Sequence, residues 1–458
     1  MNIRNIDFAL VRKYNVPGPR YTSYPPATQF TEELPFARIA ESIRRNNETR
    51  RDLSLYFHLP FCESLCWFCG CTTIVTLDRR KSDAYLEQLT REMDLMRERL
   101  NPERRVVQLH FGGGTPTFLP PDQLRRLGER IRERFTFASD LEAGVEIDPR
   151  RLTKDHLRAL REIGFQRASM GVQDNNPEVQ RAVHRIQPPE MTRQTVEWLR
   201  ELGYTSLNID LIYGLPHQTV DSFRKTLDEI VELRPDRFAV FSYAHVPWMK
   251  PAQKILQNRE QLPSAETKLD LLKLTIERLG EAGYRYIGMD HFARDDDELA
   301  VAQREGTLQR NFQGYSTRGG SDIYAFGMSS ISQTEDAYWQ NLKELPAYEA
   351  KLAAGELPYT RGYVLNEEDQ RRRATIMQIM CNLRVNYAEL SERIGVPFEE
   401  HFARELESLA DLEADGLVEL RPGEFRVTDL GRLLVRIIAM RFDAYLPQKL
   451  VGRHAMTI

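Results

Sequence analysis

The sequence predicts an α/β protein: a partial (β/α)6 TIM-like barrel with an N-terminal arm and a mainly helical, winged-helix-like C-terminal domain. The first observation is that short apolar runs alternate with helical patterns from about residue 51. The second is a glycine followed by an aromatic residue at the end of a helical pattern, which occurs at Gly164-Phe165, Gly203-Tyr204 and Gly283-Tyr284. Repeated strand–helix units form parallel sheets with right-handed crossovers. A change of pattern near residue 365 predicts the separate C-terminal domain.

Composition places the chain among globular proteins. Its 458 residues are 41% hydrophobic and 28% charged, which suits two or three domains. A net charge of −4 gives no general attraction to nucleic acid or to an anionic membrane. No apolar run reaches the length of about 18 residues that a membrane span needs, and residues 1–7 lack the apolar core of a secretory signal. We therefore expect a cytoplasmic protein that binds neither nucleic acid nor membrane.

We divide the chain into four parts: an arm at 1–50, the barrel at 51–290, a barrel extension and connecting segment at 291–364, and a helical domain at 365–458. The arm is rich in proline and tyrosine between residues 13 and 26, which favours turns and extended backbone over a helix. It is either a surface arm packed on the body or one that also covers a pocket. The glycine-rich stretch 311–327 is typical of irregular structure, and the acidic run 295–298 of a solvated helix start.

The elements follow in chain order. Six apolar strands are predicted, at 53–58, 106–111, 143–147, 167–172, 206–212 and 238–243. A helix at 82–99 has an apolar stripe, and a helix at 153–163 begins after Thr153 and ends at Gly164. Near the C-terminus, helices precede a hairpin at 416–428 with a Pro-Gly turn, as in a winged helix. This domain either reads DNA or packs on the barrel, and its lack of a strongly basic segment favours packing. Cys381 is predicted to be a buried small residue.

Four cysteines lie close together after the first strand. Cys62, Cys66 and Cys69 have C-x3-C-x2-C spacing, and Cys71 follows two residues later. Thiolates gathered in this way suit zinc or an iron–sulfur cluster. A structural zinc site usually shows well-separated pairs of ligands, which this sequence lacks. Three cysteines on one loop suit a cubane that leaves one iron open. The alternatives are a redox disulfide loop or a few buried thiols.

Polar and glycine residues mark the ends of the later strands. They are Gly112, Gly113, Gly114 and Thr115 after the second strand, Glu146 in the third, Gln173 after the fourth and Asp210 in the fifth. Because barrel enzymes place reactive groups after the strands' C-terminal ends, we expect these residues to converge on one ligand site. Taken singly, each is equally a capped strand end or a structural hydrogen bond.

Three further residues belong with this set. Arg185 suits bidentate binding of a carboxylate, or is an exposed helix arginine. Tyr56 and His58 lie two apart on the strand before the cysteine loop, so both point the same way. His58 is then either part of the site or a core histidine.

The cysteine motif with Phe68 as its aromatic residue resembles the signature of the radical S-adenosylmethionine (SAM) enzymes. The resemblance implies that the open iron of a [4Fe–4S] cluster chelates the amino and carboxylate groups of SAM. An electron from the reduced cluster then cleaves SAM to methionine and a 5′-deoxyadenosyl radical. The run from Gly112 to Pro116 is similar to the family's motif that holds the SAM amino group.

Longer motifs narrow the resemblance. Residues 17–25, the Cys69-Gly70-Cys71 ending, and residues 210–216, 288–293 and 311–315 are similar to the oxygen-independent coproporphyrinogen III oxidases. The resemblance covers nearly the whole chain. It implies oxidative decarboxylation of two propionates of coproporphyrinogen III to vinyl groups, giving protoporphyrinogen IX, with two SAM molecules consumed. It also implies a low-potential electron donor such as flavodoxin or ferredoxin, and we expect a monomer.

The resemblance assigns roles residue by residue. The cluster ligands would be Cys62, Cys66 and Cys69. The catalytic residues would be Tyr56, His58, Cys71, Glu146 and Gln313. The cofactor-binding residues would be Tyr56, Phe68, Gly113, Gly114, Thr115, Glu146, Gln173, Arg185, Asp210, Ala244, Phe312 and Ile331. Phe312 and Gln313 match positions that line the second SAM or the substrate. Ser329, Ser330 and the ending at 454–458 depart from the family pattern.

Two other functions compete with the enzyme. The first is a haem-binding or haem-delivery chaperone on the same scaffold, which would lack the N-terminal arm and Gln313. The second is a winged-helix regulator with a cluster sensor, which would need a basic recognition helix that the sequence does not show. Both comparisons favour the enzyme.

Overall fold

The computed structural model describes residues 8–259 and 262–446. The chain forms two compact units, each built from separate stretches of sequence. We call one the barrel unit, which contains Phe30–Ser264 and Gly320–Val364. The other, the helical unit, contains the described parts of Met1–Gln29, Ala265–Gly319 and Leu365–Ile458. The four-part division at residues 50, 290 and 364 groups the chain by expected role and stays a prediction. The divergent ending at 454–458 lies outside the described residues.

The strands are short and spread along the chain. They are β1 Leu53–Leu59, β2 Phe61–Cys62, β3 Ile74–Val75, β4 Arg105–Gly113, β5 Thr136–Ile147, β6 Arg167–Gln173, β7 Ser206–Tyr213, β8 Arg237–Ser242, β9 Tyr284–Gly288, β10 His291–Arg294, β11 Gln309–Asn311, β12 Gly314–Ser316, β13 Asp322–Phe326, β14 Ile331–Gln333, β15 Ala337–Asn341, β16 Tyr359–Val364, β17 Arg384–Asn386, β18 Val418–Arg421 and β19 Glu424–Val427.

The helices alternate with these strands through the first half of the chain and dominate the last part. They are α1 Phe8–Lys13, α2 Phe36–Glu48, α3 Arg80–Arg97, α4 Pro121–Arg134, α5 Lys154–Ile163, α6 Pro177–Ala182, α7 Pro189–Glu201, α8 Val220–Val231, α9 Lys254–Arg259, α10 Ala265–Glu281, α11 Glu298–Glu305, α12 Leu345–Ala353, α13 Glu367–Asn382, α14 Tyr387–Ile394, α15 Phe398–His401, α16 Ala403–Glu407, α17 Ala410–Ala414, α18 Asp429–Leu433 and α19 Val435–Met440.

The barrel unit is built on a mixed sheet in which ten strands lie in the order β16-β15-β14-β13-β1-β4-β5-β6-β7-β8. The six predicted strands are β1, β4, β5, β6, β7 and β8, and each pairs in parallel with the next. A helix lies between each successive pair, as a right-handed βαβ crossover requires. The prediction of six consecutive strand–helix units is therefore confirmed. Strand β5 begins at Thr136, earlier than the predicted 143.

The two faces of this sheet differ in chemistry. In β6, Ala168, Met170 and Val172 are buried, whereas the intervening Ser169 and Gly171 are only half-buried. Strand β7 repeats the alternation. Alternate residues of a strand face opposite sides of the sheet, so one face is apolar and closed while the other is polar and partly open. The polar face carries the residues that the sequence singled out.

The ends of several helices follow the predicted chemistry. Thr153 precedes α5, and Gly164 ends it in the left-handed conformation with φ of 118°. The predicted stripe of α3, which comprises Leu86, Leu89, Met93 and Met96, is buried. In the helical unit, Asp297 accepts a hydrogen bond from Leu299 N (2.8 Å), so the acidic run is the start of a helix as expected.

The prediction of irregular structure at 311–327 is wrong. This stretch contains the hairpin β11–β12 and the strand β13, which is buried along its length and pairs in parallel with β1. Strand β13 starts at Asp322, whose carboxylate forms a fully buried ion pair with Arg104. The antiparallel strands β14, β15 and β16 extend the sheet from β13.

The prediction for the arm is partly confirmed. The proline–tyrosine segment is extended or turned, but residues 36–48 form the amphipathic helix α2. In the helical unit, Tyr14, Tyr21 and Tyr24 are buried in the same apolar core as α13 and α19. Tyr21 also donates a hydrogen bond to Asp443 (2.9 Å). The first part of the arm is thus a packed element of this unit.

The helical unit contains the predicted winged-helix pattern. The hairpin β18–β19 follows helices α13 to α17 and turns at Pro422-Gly423. Strand β17, which follows α13, completes a sheet with the order β17-β19-β18. Cys381 is fully buried in the apolar core, as predicted. Each helix that the structure describes is too short or too polar to span a lipid bilayer.

Candidate active site

The cysteine loop leaves the end of β1 and returns beside it. Strands β2 and β3 pair in parallel at the two ends of the loop, with Cys62 opposite Val75. Between them the backbone is tied down at Trp67, whose N–H donates to the Val183 carbonyl (3.0 Å). Phe68 packs on an apolar cluster that includes Val183. The loop is therefore held in place by neighbouring elements of the barrel unit.

Each cysteine of the predicted ligand set lies near a hydrogen-bond donor. The Sγ of Cys66 accepts from Arg150 Nη2 at 3.3 Å and from Arg185 Nη1 at 3.7 Å. Cys62 Sγ lies 3.4 Å from Thr115 Oγ1, and Cys69 Sγ accepts from the Cys71 N–H at 3.4 Å. Guanidinium and N–H groups around sulfur stabilise the thiolate form that a metal requires.

The acidity of these thiols is uneven. A side-chain hydrogen bond from Cys71, together with its backbone N–H and nearby cations, lowers the pKa of Cys69 to about 6 against the opposing effect of burial. Burial raises the pKa of Cys62 to about 11, although the hydrogen bond to Thr115 opposes the shift. All of these cysteines carry free thiols.

The thiols of this loop suit an iron–sulfur cluster. A cubane takes its thiolates on separate irons, so its cysteines stand apart. Three free thiols on one loop with cationic neighbours are a suitable donor set for such a cluster.

The glycine run after β4 lies against β1. Gly114 N donates to the Leu59 carbonyl (2.9 Å), and Thr115 N donates to that of Phe61 (2.8 Å). Gly113 has a φ of 113°, and a Cβ there would lie 2.7 Å from His58 Nδ1. Only glycine fits so close an approach. Because Gly113 has no side chain, its backbone groups on the polar face of the sheet are accessible to the polar groups of a ligand.

Glu146 is the carboxylate at the centre of this face. It accepts from the Gly113 N–H (Oε2, 3.1 Å) and lies 3.5 Å from His110 Nε2. Burial alone would raise the pKa of Glu146, but the hydrogen bond and charge of His110 and the Gly113 N–H lower it below its ordinary value. Glu146 therefore stays ionised at neutral pH and can accept from an ammonium or a hydroxyl group.

Tyr56 and His58 lie side by side, as their spacing predicted. Tyr56 Oη is 3.3 Å from His58 Nδ1, and the Tyr56 ring stacks on His110 at 5.9 Å. His58 is buried, and its Nε2 lies 3.0 Å from the Thr72 carbonyl, which ties it to the returning arm of the cysteine loop. Burial lowers the pKa of His58, so the ring is neutral.

Gln173 and Asp210 extend the polar face along β6 and β7. The Oε1 of Gln173 is buried without a hydrogen-bond partner among the described residues, and its backbone has a φ of 71°. Asp210 accepts from Asn208 Nδ2 (2.7 Å) and from Ser169 Oγ (3.1 Å). Burial and the nearby charge of Glu146 raise the pKa of Asp210 to about 7.

Arg185 is not an exposed helix arginine. It is buried, its Nη1 donates to Asp148 Oδ2 (3.0 Å), and its Nη2 donates to the Gly171 carbonyl (2.6 Å). Its Nε is buried and has no hydrogen-bond partner in the described part of the chain. Asp148 thus fixes the guanidinium and leaves one donor for a ligand.

The remaining predicted residues lie at other places. Ala244 is exposed just after β8, and Ile331 opens β14, both in the barrel unit. Phe312 and Gln313 form the turn of hairpin β11–β12 in the helical unit. Cys71 is exposed at the end of the loop, where Lys250 Nζ donates to its carbonyl (3.0 Å).

His110 and Arg150 also belong to this region and were not predicted from the sequence. His110 lies opposite Tyr56 on the neighbouring strand, so its inward direction follows from strand alternation once the register is known. Arg150 follows β5 by three residues and reaches both Cys66 and Asp148, with Nη2 2.7 Å from Asp148 Oδ2. Arg150 follows Glu146 closely in sequence, and this closeness to a predicted site residue is the signal that could have identified it.

The chain is similar to known proteins over almost its whole length. Residues 56–230 match the Radical SAM superfamily, and residues 365–434 match the HemN C-terminal domain. The oxygen-independent coproporphyrinogen III oxidase of Salmonella typhimurium is 49% identical over 97% of this chain and 96% of the relative. That of Escherichia coli K12 is 48% identical over 98% of each chain.

A solved structure agrees with these relatives. Coproporphyrinogen III oxidase (HemN) from Escherichia coli, described as a radical SAM enzyme, matches with a TM-score of 0.91 and 46% identity over 96% of this chain and 99% of that one. Likeness of this extent covers the barrel, the extension and the C-terminal domain together. The chain therefore belongs to the oxygen-independent coproporphyrinogen III oxidases of the radical SAM superfamily.

Proposed function

We propose that this chain decarboxylates two propionate side chains of coproporphyrinogen III oxidatively to vinyl groups and so produces protoporphyrinogen IX. The observation that carries the proposal is the near-full-length likeness to enzymes of that name, joined to a three-cysteine loop beside a polar sheet face. A [4Fe–4S] cluster on Cys62, Cys66 and Cys69 and two SAM molecules would supply the hydrogen-abstracting radical when bound.

The chain's own residues would orient the first SAM. Glu146 stays charged and offers an acceptor beside the Gly113 and Gly114 backbone, which suits an ammonium group. The free Nε of Arg185 suits a carboxylate. Asp210 and the orphaned Oε1 of Gln173 are acceptors for ribose hydroxyls.

The other residues of the proposed site complete it. Phe68, Thr115 and Ala244 lie on loops at the ends of their strands, and Ile331 begins β14. Tyr56, which is half-buried, and His58, which is buried, form a hydrogen-bonded pair against the cysteine loop that is suited to fixing the loop. By resemblance, Cys71 is needed for activity without binding the cluster. In the helical unit, Phe312 and Gln313 match positions that line the second SAM or the substrate. A reactive radical requires such close holding of the substrate and exclusion of water.

Supply of electrons and cellular setting follow from this chemistry. The reaction requires a low-potential electron donor, of the flavodoxin or ferredoxin type, because clusters that cleave SAM lie toward the low end of the range of about −700 to +450 mV. Free thiols that carry a cluster suit the reducing cytoplasm. The working form proposed here is a monomer, which sedimentation of the reconstituted protein would measure.

One anaerobic experiment tests the proposal. The reconstituted protein is incubated with SAM, a reductant and coproporphyrinogen III, and protoporphyrinogen and CO2 are measured. We expect two CO2 and two 5′-deoxyadenosines for each protoporphyrinogen formed. A reconstituted cluster that cleaves SAM without consuming coproporphyrinogen contradicts the proposed substrate. A zinc-containing protein, or one whose cluster does not respond to SAM, contradicts the mechanism.

The alternative is a haem-delivery chaperone on the same scaffold. It predicts tight haem binding by the purified protein and no turnover of coproporphyrinogen. The arm whose tyrosines are packed in the helical unit, and Gln313 in the β11–β12 turn, support the enzyme. A haem titration beside the turnover assay separates the two functions.

A further inference from the structure

The hairpin β11–β12 of the helical unit holds a buried arginine, Arg310, whose charge has no counterion within residues 8–259 and 262–446. Arg310 is only 7% exposed, and its Nε and Nη1 are buried without hydrogen-bond partners among the described residues. In the part of the chain that the structure describes, no ion pair involves this guanidinium. Buried charges in proteins are usually paired, since taking an unpaired cation out of water costs free energy.

The surroundings of Arg310 do not cancel its charge. Its Cζ lies 4.9 Å from the centre of the Tyr315 ring, and Tyr315 packs edge-on against His291 at 5.2 Å. Burial, followed by the charge of Arg310, lowers the pKa of His291 to about 4, so this ring is neutral. The nearby carboxylate of Asp290 is already bound by Arg20. Arg310 therefore keeps a positive charge that neither His291 nor Asp290 compensates.

A second unsatisfied donor lies on the same hairpin. Gln313 Nε2 is buried and has no partner among the residues that the structure describes, while the backbone N–H of Gln313 donates to Asn311 Oδ1 (2.8 Å) and fixes the turn. Both side chains thus present N–H donors and lack an acceptor. The matching ligand is an anion with two or more acceptor oxygens, and a guanidinium pairs best with a planar carboxylate or a phosphate.

We propose that Arg310, with Gln313 three residues later in the turn of the same hairpin, binds a carboxylate, and that a propionate of coproporphyrinogen III occupies this site. This inference rests on the proposed function, which supplies a substrate with several propionates. The reaction leaves some of those propionates intact, so a site that grips one of them fixes the porphyrinogen without taking part in the chemistry. The carboxylate of a SAM molecule has the same chemistry, and the experiment below distinguishes the two sources.

An anion-binding role makes a prediction about stability that a structural role does not. If Arg310 is an anion-binding residue, replacing it with a neutral side chain removes an uncompensated positive charge from the unliganded folded protein. The free protein should then be as stable as the wild type or more stable, while ligand binding weakens. If Arg310 instead stabilises the fold through its contact with Tyr315, the same change should lower the stability.

The experiment uses the full-length, anaerobically reconstituted protein and three variants: Arg310→Met, Arg310→Lys and the control Arg294→Met. Arg294 lies on β10 of the same unit, is 46% exposed, and pairs with Asp296 at 3.3 Å. The probes are coproporphyrin III, its tetramethyl ester and SAM, each titrated with matched co-solvent. Thermal unfolding midpoints are measured without and with each probe, and KM and kcat are measured in turnover.

We expect Arg310→Met to weaken coproporphyrin III binding by about tenfold or more, as loss of a charge-assisted hydrogen bond does. Arg310→Lys should weaken it less, Arg294→Met should leave it unchanged, and the ester should bind all proteins equally. KM for coproporphyrinogen III should rise more than kcat falls. The unfolding midpoint of unliganded Arg310→Met should stay level or rise.

The other outcomes are equally decisive. Weaker SAM binding with unchanged coproporphyrin binding keeps the carboxylate site but gives it to SAM. Unchanged binding of both coproporphyrin III and SAM overturns the inference. A lower unfolding midpoint together with equally weakened binding of all three probes also overturns it. Failure of the proposed function has a different signature, because the wild-type protein itself would then show no binding or no turnover of the porphyrin.

Discussion

Glu92 is a buried carboxyl whose role only the folded chain reveals. It lies on α3 and receives hydrogen bonds from Gly327 N (2.7 Å), Asn341 Nδ2 (2.6 Å) and the Tyr348 hydroxyl (2.6 Å). Burial raises its pKa to about 7, although these three donors oppose the shift. In sequence, Glu92 looks like one more charge on an amphipathic helix, because its partners are more than two hundred residues away.

This pKa predicts how stability depends on pH. The folded-state pKa of about 7 is above the ordinary value of 4.5, so the folded state binds the proton more tightly than the unfolded state does. The resulting stabilisation is complete below about pH 4.5 and is lost as the pH rises through 7. Glu92→Gln cannot titrate, so the difference in unfolding free energy between about pH 5 and pH 8 should shrink by about 2–3 kcal/mol.

Urea unfolding of the apoprotein at the two pH values measures the effect. The control is Glu87→Gln on the same helix, where the carboxylate is exposed and pairs with Arg130 at 2.7 Å. It should leave the pH dependence unchanged. Glutamine also replaces an oxygen that accepts hydrogen bonds in this network by an N–H2 group, so Glu92→Gln should lower stability at each pH by about 1–3 kcal/mol. A slope equal to that of the wild type would contradict the assignment.

A second residue-scale prediction concerns the thiols. Cys66→Ser removes a thiolate that two arginines surround, so the reconstituted variant should hold at least about tenfold less iron than the wild type. Cys381→Ala is the matched control, because Cys381 is fully buried in the apolar core of the helical unit. It should keep the iron content and the cluster absorbance. Normal iron in Cys66→Ser would remove Cys66 from the ligand set.

At the scale of elements, the turn between β13 and β14 fits closely against β1 and α3. Gly327 has a φ of 100°, and a Cβ there would lie 2.5 Å from Tyr85 Oη and 2.7 Å from the His58 carbonyl. Tyr85 Oη in turn donates to that carbonyl (3.0 Å). The turn leads to Ile331, so it connects the Glu92 network to a proposed cofactor contact.

Gly327→Ala should therefore be strongly destabilising. Left-handed strain of about 1 kcal/mol adds to about 1–3 kcal/mol of overpacking against Tyr85 and the β1 backbone. The control is Gly355→Ala, because Gly355 has a φ of 73° but open space around its Cβ position. Equilibrium unfolding should show a loss of about 1 kcal/mol in the control and clearly more in Gly327→Ala. Equal losses would mean that the contact is not tight.

The sequence predicted elements where the physics is local. Strands such as β6 alternate apolar and small residues and are bounded by Gly164 and a loop, so their existence and order followed from pattern alone. The strands of the barrel extension were not predicted because β13 and β15 are buried on both faces, which removes the alternation of apolar and polar residues. Their partners are also distant in sequence, as with Asp322 and Arg104. Helix α2 was missed because it follows Pro35 without a side-chain cap.

At the scale of the whole molecule, some residues of functional interest could be predicted from the sequence and others could not. The cysteines, the glycine run and the strand-end carboxylates follow from motif spacing and family resemblance, and the structure brings Glu146, Gly113 and His58 together. Arg310 and Glu92 carry no motif. They became visible only when burial and missing or distant partners could be seen. The functional candidates that only the tertiary structure reveals are thus buried polar groups without a sequence motif.

The two units should respond differently to loss of the cluster. In the barrel unit the cysteine loop is tied by few backbone hydrogen bonds, such as Trp67 N to the Val183 carbonyl (3.0 Å) and Ile74 N to that of Pro60 (2.8 Å). Three metal–thiolate bonds would add most of the remaining restraint. Helix α13 belongs to a core of buried apolar residues that includes none of those ligands.

Hydrogen exchange of holo and cluster-free protein, followed by mass spectrometry, tests this expectation. Removing the cluster by chelation should increase exchange in peptides covering residues 62–75 by about tenfold or more, because local opening no longer breaks metal bonds. Peptides from α13 should exchange equally in both forms. The matched control is the Cys66→Ser variant, which should resemble the cluster-free protein without chelator. If the loop exchanges at the same rate in both forms, the hydrogen bonds alone hold it and the cluster adds no restraint. If exchange in α13 increases as much as in the loop, the cluster stabilises the whole chain.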